Sequence, residues 1–130
     1  MKCIRLRVVE RAEFEELVRD ALDGLPEGFA QHLENVEVVV EDDPSPQLLR
    51  SLGLHPQRDT LFGLYQGVPL NLRGAAFGGM LPDKISIFYH PLVRTFRTPD
   101  RIRRQVRKTV IHEIGHFFGL DDKTIRNLGY

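Results

Sequence analysis

The sequence predicts an α+β fold in which short strands alternate with helices and the longest helix lies near the end of the chain. The run "VEVVVEDDP" is β-branched and "KISIFYHP" alternates in hydropathy, and both patterns are typical of strands. Apolar residues three and four positions apart in "ERAEFEELVRDALDGLP" indicate an amphipathic helix. A second such run, which starts after Thr98, predicts the helix that packs on the sheet.

The N-terminal half contains four further signals in order. "CIRLRVV" predicts a short strand before the first helix, which we expect to end at Gly24 and Pro26. "EGFAQHLENV" predicts a second short helix. "VEVVVEDDP" ends as a strand at Asp-Asp-Pro, and "SPQLLRSLGL" predicts a short helix because Ser-Pro favours a helix start and Gly a stop.

Two more strands are expected before the last helix. "TLFGLYQGVPL" predicts one, and the glycine-rich "NLRGAAFGGMLPD" predicts a loop. "KISIFYHP" predicts the other. Its two faces are expected to alternate as Ile85, Ile87 and Tyr89 against Lys84, Ser86 and Phe88.

The last long helix is defined at both ends. Thr98 is a good N-cap, Pro99 suits the first helical position, and Gly119 supplies a left-handed stop after Phe118. The helix has one broad apolar face, formed by Ile102, Val106, Val110, Ile114, Phe117 and Phe118. His112 and His116 fall on a different face, so we expect them to point away from the core.

The pair His112 and His116 has the spacing of two ligands to one metal ion, because residues i and i+4 are neighbours on a helix. Glu113 is rotated by about 100°, so it can lie beside the ion and take a proton from an activated water. Gly119 lets the chain turn back, which offers Asp122 as a third ligand. Asp121 and His90 are alternative third ligands, and Asp121 or Asp122 can instead cap a short final helix.

Composition limits the function classes. The 130 residues suit one domain, residues 1–130, and 18 basic against 18 acidic residues give no global field for nucleic acid or an anionic membrane. The single cysteine, Cys3, suits a reducing compartment. Neither a signal peptide nor a run of about 18 apolar residues is visible, so a cytoplasmic protein without a membrane segment is expected.

The pattern H-E-x-x-H-x-x-G-x-x-D near the C-terminus resembles that of the small bacterial zincin-like metallopeptidases, or minimal zincins. The order of "LFGLYQGVPL", "LPDKISIFYHPL" and the motif helix, and the ending "HFFGLDDKTIRNLGY", are also similar to that family. The resemblance implies a compact zincin-like domain with a small mixed sheet on the motif helix. It also suggests that the edge of the "KISIFYHP" strand pairs with an extended peptide. It implies one Zn²⁺ per chain, held by His112, His116 and Asp122, with Glu113 as general base and a peptide or protein as substrate.

Two other functions remain open at this point. The basic segment 94–108 suits an anionic partner such as RNA. The motif spacing also resembles that of small bacterial zinc-dependent endoribonucleases, which have a His at the Asp122 position, but Glu113 favours the peptidase. No methionine follows Met80, so the Met-turn of metzincins is missing, and this favours a metal-binding module without turnover or a cleft completed by a partner protein or an oligomer. Candidate donors to an oxyanion are Tyr89, His90, Arg94 and Tyr130.

Overall fold

The computed structural model describes residues 8–25, 29, 33, 36–68 and 83–130. The described elements are, in order, α1 (Arg11–Asp23), β1 (Val36–Glu41), α2 (Pro46–Ser51), β2 (Gly63–Gln66), β3 (Asp83–Phe88), α3 (Tyr89–Phe96), α4 (Pro99–Phe117) and α5 (Asp122–Asn127). Most of the predicted strand 3–9 and helix 27–36 lies outside the described residues, as does the predicted loop 71–83 apart from Asp83, which begins β3. Among the described helices, none has the length and apolar character needed to cross a bilayer.

The three described strands form a small mixed sheet in the order β1-β3-β2. β1 pairs with β3 in parallel, from Val36 opposite Asp83 to Glu41 opposite Phe88. β2 pairs with β3 antiparallel. This architecture confirms the predicted α+β fold, in which a small sheet packs on helices that include the C-terminal motif helix.

The central position of β3 corrects the expectation that its edge accepts a peptide. Both edges of β3 are occupied by strands, so in the described sheet the edge beside the long helix belongs to β2. The predicted one-sided alternation was also wrong, because Ser86 and Phe88 are as buried as Ile85 and Ile87. A central strand covered on both faces has no solvent side.

Helix α3 is a second correction, because Tyr89 and His90 begin a helix and do not continue the strand. Pro91 is tolerated there since the first turn of a helix needs no backbone donor. The Tyr89 ring packs edge-to-face on Phe14 with centroids 5.1 Å apart, and its hydroxyl donates to the main-chain oxygen of Val9 at 2.5 Å.

Helix α4 is the centre of the molecule. It contacts β2, β3, α1, α3 and α5. The predicted apolar face is buried as expected, apart from Phe118, which is only partly buried. The residues buried from this face are Ile102, Val106, Val110, Ile114 and Phe117. Burying this face against the sheet and α1 fixes the rotation of the helix, and so fixes where the two histidines point.

Candidate metal centre

The histidine pair is positioned by the last turns of α4. The helix begins as predicted, with Thr98 Oγ1 accepting from the backbone N–H of Arg101 at 3.4 Å. Four residues apart near its other end, the rings of His112 and His116 lie with centroids 4.8 Å apart and planes at 78°. Both side chains are half-buried, at 23% and 28% exposure, so they are accessible at the rim of the core.

A tight turn after α4 returns the chain to the histidines. Gly119 has φ of 89°, a left-handed conformation that strongly favours glycine. Its N–H donates to His116 O at 2.9 Å, and the N–H of Leu120 donates to Gly115 O at 3.0 Å. These two bonds form a Schellman motif, which satisfies the last carbonyls of the helix and reverses the chain.

The two aspartates after this turn have different roles. Asp121 is the N-cap of α5, and its Oδ1 accepts from the Thr124 backbone N–H at 2.8 Å. Hydrogen bonding from the Thr124 side chain, and next from its backbone N–H, lowers the pKa of Asp121. Asp122, the first helical residue, points back to α4, and its Oδ1 lies 2.9 Å from Nε2 of His112 and 3.0 Å from Nε2 of His116. Of the candidate third ligands, the structure therefore brings Asp122 to the histidine pair, whereas ligation itself stays a prediction.

The hydrogen bonds of the rings show that this cluster fits a cation. His116 Nδ1 lies 2.9 Å from Leu120 O, and His112 Nδ1 lies 3.2 Å from the main-chain oxygen of Tyr130. A nitrogen facing a carbonyl oxygen must carry the proton, which leaves Nε2 of a neutral ring as an acceptor. The two Nε2 acceptors and the anionic Oδ1 of Asp122 lie close together, and this arrangement suits a bound cation.

Zinc matches this donor set in type and spacing. Two imidazoles and a carboxylate are typical ligands of a catalytic zinc, and ligand atoms about 2.0–2.1 Å from a tetrahedral ion are roughly 3.3 Å apart. The distances from Asp122 to the two histidines are a few tenths of an ångström shorter. The contact of its carboxylate with His112 lowers the pKa of Asp122, which keeps Asp122 in the anionic form that a ligand requires.

Glu113 faces strand β2 from the adjacent side of α4. Its side chain is only 7% exposed, and its Oε1 accepts from the backbone N–H of Tyr65 at 2.9 Å. Its carboxylate and the ring nitrogens of His112 and His116 lie within 4.8 Å of one another, a range that leaves room for a small molecule between them. Burial raises the pKa of Glu113, and the two nearby histidines oppose that rise.

Gly63 allows β2 to approach Glu113 this closely, and sequence reasoning missed it. A Cβ at this position would lie 2.7 Å from Thr109 Cγ2 and 3.2 Å from Glu113 Cγ. The available signal was a glycine inside the apolar run "LFGLY", because glycine within a strand often marks a close backbone approach. The Tyr65 contact has no side-chain signal, because it is made by the main chain.

A groove runs along β2 on both sides of Glu113. One cavity of about 300 Å³ extends toward Thr60 and the earlier turns of α4, and another of about 580 Å³ extends toward Gly67 and Leu120. The two cavities share four lining residues, Leu61, Gly63, His112 and Glu113. His112 and Glu113 therefore line both cavities, which adjoin at β2 and which together we call the groove.

Comparison with known proteins agrees with this geometry. A family model for zincin-like metallopeptidases matches residues 33–130. The chain belongs to the zincin-like metallopeptidase family. A solved structure of a conserved hypothetical protein from Thermus thermophilus is similar, with 25% identity and a TM-score of 0.55, over 92% of this chain and 97% of that one. Among curated proteins, none matches the sequence.

Most of the remaining candidates lie away from the centre of this zincin-like protein. His90 Nδ1 lies 2.7 Å from Asp43, whose other oxygen accepts from Arg94 at 3.0 Å. The hydroxyl of Tyr89 donates a hydrogen bond to the main-chain oxygen of Val9. Of the four candidate oxyanion donors, Tyr130 alone lines a cavity beside Glu113, the one of about 300 Å³.

Proposed function

We propose that this zincin-like protein is a zinc-dependent peptidase that binds one Zn²⁺ per chain through His112, His116 and Asp122. Glu113 is its general base. The observation that carries the proposal is the meeting of two Nε2 atoms and Asp122 Oδ1 at one point, beside a buried glutamate in an open groove. A hydrogen bond from the second ring nitrogen to a carbonyl is typical of a histidine that binds a metal, and it is not expected for two histidines that lie by chance on a solvated helix.

The side chains divide the chemistry between them. When bound, zinc polarises the substrate carbonyl and lowers the pKa of a bound water toward about 7. The Nδ1 contacts of His112 and His116 hold both rings with Nε2 toward Asp122, where the three side chains would hold the ion. Glu113 takes the proton of the attacking water and passes it to the nitrogen of the leaving amine.

The position of Glu113 suits proton transfer for two reasons. The N–H of Tyr65 fixes one carboxylate oxygen, so the side chain does not need to be ordered during the reaction. Burial raises its pKa, which makes the carboxylate a better proton acceptor. A carboxylate in open solvent would be a weaker base.

The groove suits a peptide in extended conformation. Phe88 N–H donates to Phe62 O at 2.9 Å, and the register pairs Leu64 with Ser86. Because hydrogen-bonded positions alternate in an antiparallel pair, the main-chain groups of Gly63 face the groove. We therefore infer that the substrate is a peptide or protein. We further propose that residues 1–130 form a single domain that acts in the cytoplasm and has no membrane or nucleic-acid partner.

The test is cleavage of a mixed peptide library by zinc-loaded protein, with products identified by mass spectrometry. Glu113→Gln is the matched variant because it preserves shape and removes the base. We expect Glu113→Gln to lower the rate by about 10²–10⁴-fold while zinc content is retained. Equal cleavage by both proteins, or none by either, would reject the peptidase. Salt-sensitive cleavage of RNA would favour the endoribonuclease, and zinc binding without turnover would favour a metal-binding module.

A further inference from the structure

A row of basic side chains leads along α4 to the candidate metal centre. Arg101, Arg104, Lys108 and His112 fall within an arc of about 80° at 100° per residue, so they share one side of the helix. The three cations of this row, which we call the basic row, are all exposed. Segment 94–108 has seven basic residues and one acidic residue in a chain that is neutral overall.

The basic row reaches the groove at Lys108. This residue lines the 300 Å³ cavity together with Gln105, His112 and Glu113. It lies one helical turn before His112, which is about 6 Å along the helix axis. A charged side chain therefore forms part of the groove wall next to the proposed reacting groups.

The cations of the basic row have no internal counter-ion in the described part of the chain. Arg104 contacts only the main-chain oxygen of Asp100, at 3.5 Å, and no described carboxylate pairs with Lys108 or Arg101. Arg103 differs from them, because it pairs with the Asp100 carboxylate at 2.8 Å. The positive field of the basic row is thus available to a bound molecule.

We infer that the substrate is an acidic peptide whose carboxylate side chains lie on the Lys108 side of the cleaved bond. This inference rests on the proposed peptidase function. An extended chain advances about 3.3 Å per residue, so Lys108 meets the second residue from the reacting carbonyl. Arg104 lies about 12 Å from His112 along the helix, so it lies beside the fourth substrate residue from the reacting carbonyl.

Each contact is expected to have a modest effect because the cations are exposed. An exposed ion pair changes an equilibrium by about two- to fivefold, so one glutamate facing Lys108 should raise kcat/KM by that factor over glutamine. The preference should weaken as salt is raised, because exposed charges are screened at a Debye length of about 3 Å in 1 M salt. A preference that comes from side-chain shape would not change with salt.

The experiment uses one cleavable peptide with Glu, Gln or Lys at the second residue on either side of the bond and an amidated C-terminus. A further Gln peptide with a free C-terminal carboxylate separates a terminal carboxylate from a side-chain one. Lys108→Glu is compared with Arg107→Glu, which changes charge equally one residue away but lines neither cavity. We expect the order Glu, Gln, Lys in the wild type, reversed in Lys108→Glu and kept in Arg107→Glu.

Several results would overturn the inference while leaving the peptidase intact. The first is equal cleavage of the Glu, Gln and Lys peptides. The second is an equal change of peptide preference in Lys108→Glu and Arg107→Glu. The third is faster cleavage only of the peptide with a free C-terminal carboxylate. Tighter binding of an RNA oligonucleotide than of the Glu peptide would also overturn it. If no peptide is cleaved, the affinities of fluorescent Glu and Gln peptides for zinc-loaded Glu113→Gln are measured by fluorescence anisotropy instead. Selection of Glu over Gln that disappears with Lys108→Glu would uphold the carboxylate site although the peptidase fails, and no selection would overturn it.

Discussion

Substitution of Gly115 by alanine should displace Asp122 from the histidines without touching any of them. Gly115 is buried in α4, where it packs against Ile125 of α5. A Cβ there would lie 2.8 Å from Ile125 Cδ1 and 2.9 Å from Cγ1, whereas ordinary contacts begin at 3.4 Å. Because the Ile125 side chain is itself buried, we expect the contact to be relieved by a shift of α5 of roughly half an ångström, and Asp122 lies only three residues before Ile125.

Two opposing effects set the magnitude. Overpacking a buried contact costs about 1–3 kcal/mol, while replacing a helical glycine by alanine stabilises by about 1 kcal/mol. The free energy of unfolding of the metal-free protein should therefore fall by only about 0–2 kcal/mol. Zinc affinity should fall further, by about 10–100-fold, as is usual when the support of a ligand is disturbed.

The assay combines urea unfolding of metal-free protein with zinc competition against a chromophoric chelator. The matched control is Gly115→Ala in an Ile125→Ala background, where both close atoms are removed. There the same substitution should stabilise the helix and leave zinc affinity unchanged relative to Ile125→Ala. Wild-type zinc affinity in Gly115→Ala alone, with the full stabilisation of about 1 kcal/mol, would refute the reasoning.

Three other predictions follow from the site. Because burial raises the pKa of Glu113, its carboxyl favours folding below its unfolded pKa, and this contribution is lost as pH rises through the folded pKa. Glu113→Gln should therefore raise the Tm of metal-free protein at neutral pH and not in acid; an equal rise at both would contradict this. Gly119→Ala should cost about 1 kcal/mol and weaken zinc binding, and Gly119→Asn should cost less, which urea unfolding would check. Gly63→Ala should lower kcat with zinc retained, and adding Thr109→Ser, which removes the clashing methyl, should restore it; unchanged kcat would contradict the β2 contact.

The sequence predicted α4 and its histidines well because each signal is local. Thr98, Pro99 and Gly119 define the helix ends through backbone requirements that do not depend on the rest of the fold. The i, i+4 spacing then places His112 and His116 together. The sequence could not show whether Asp121 or Asp122 lies near the histidines, because this depends on the direction that the chain takes after the turn at Gly119.

The features that sequence reasoning missed depend on tertiary contacts. The alternation in "KISIFYHP" could not show that β3 is central, because strand order is set by pairing between distant segments. Tyr89 has a side chain common in strands, yet it begins α3. The bond from the Tyr65 N–H to Glu113 comes from the close approach of β2 at Gly63, and a backbone donor is invisible in a motif.

The measurement that tests the central claim most directly is zinc content by mass spectrometry after mild purification. It compares wild type with His116→Ala and Asp122→Ala, with Asp121→Ala as the matched control. The account predicts about one zinc per chain in the wild type, loss in His116→Ala, a marked decrease in Asp122→Ala, and retention in Asp121→Ala. A wild type that binds no zinc even when zinc is supplied, or a loss with Asp121→Ala but not with Asp122→Ala, would contradict it.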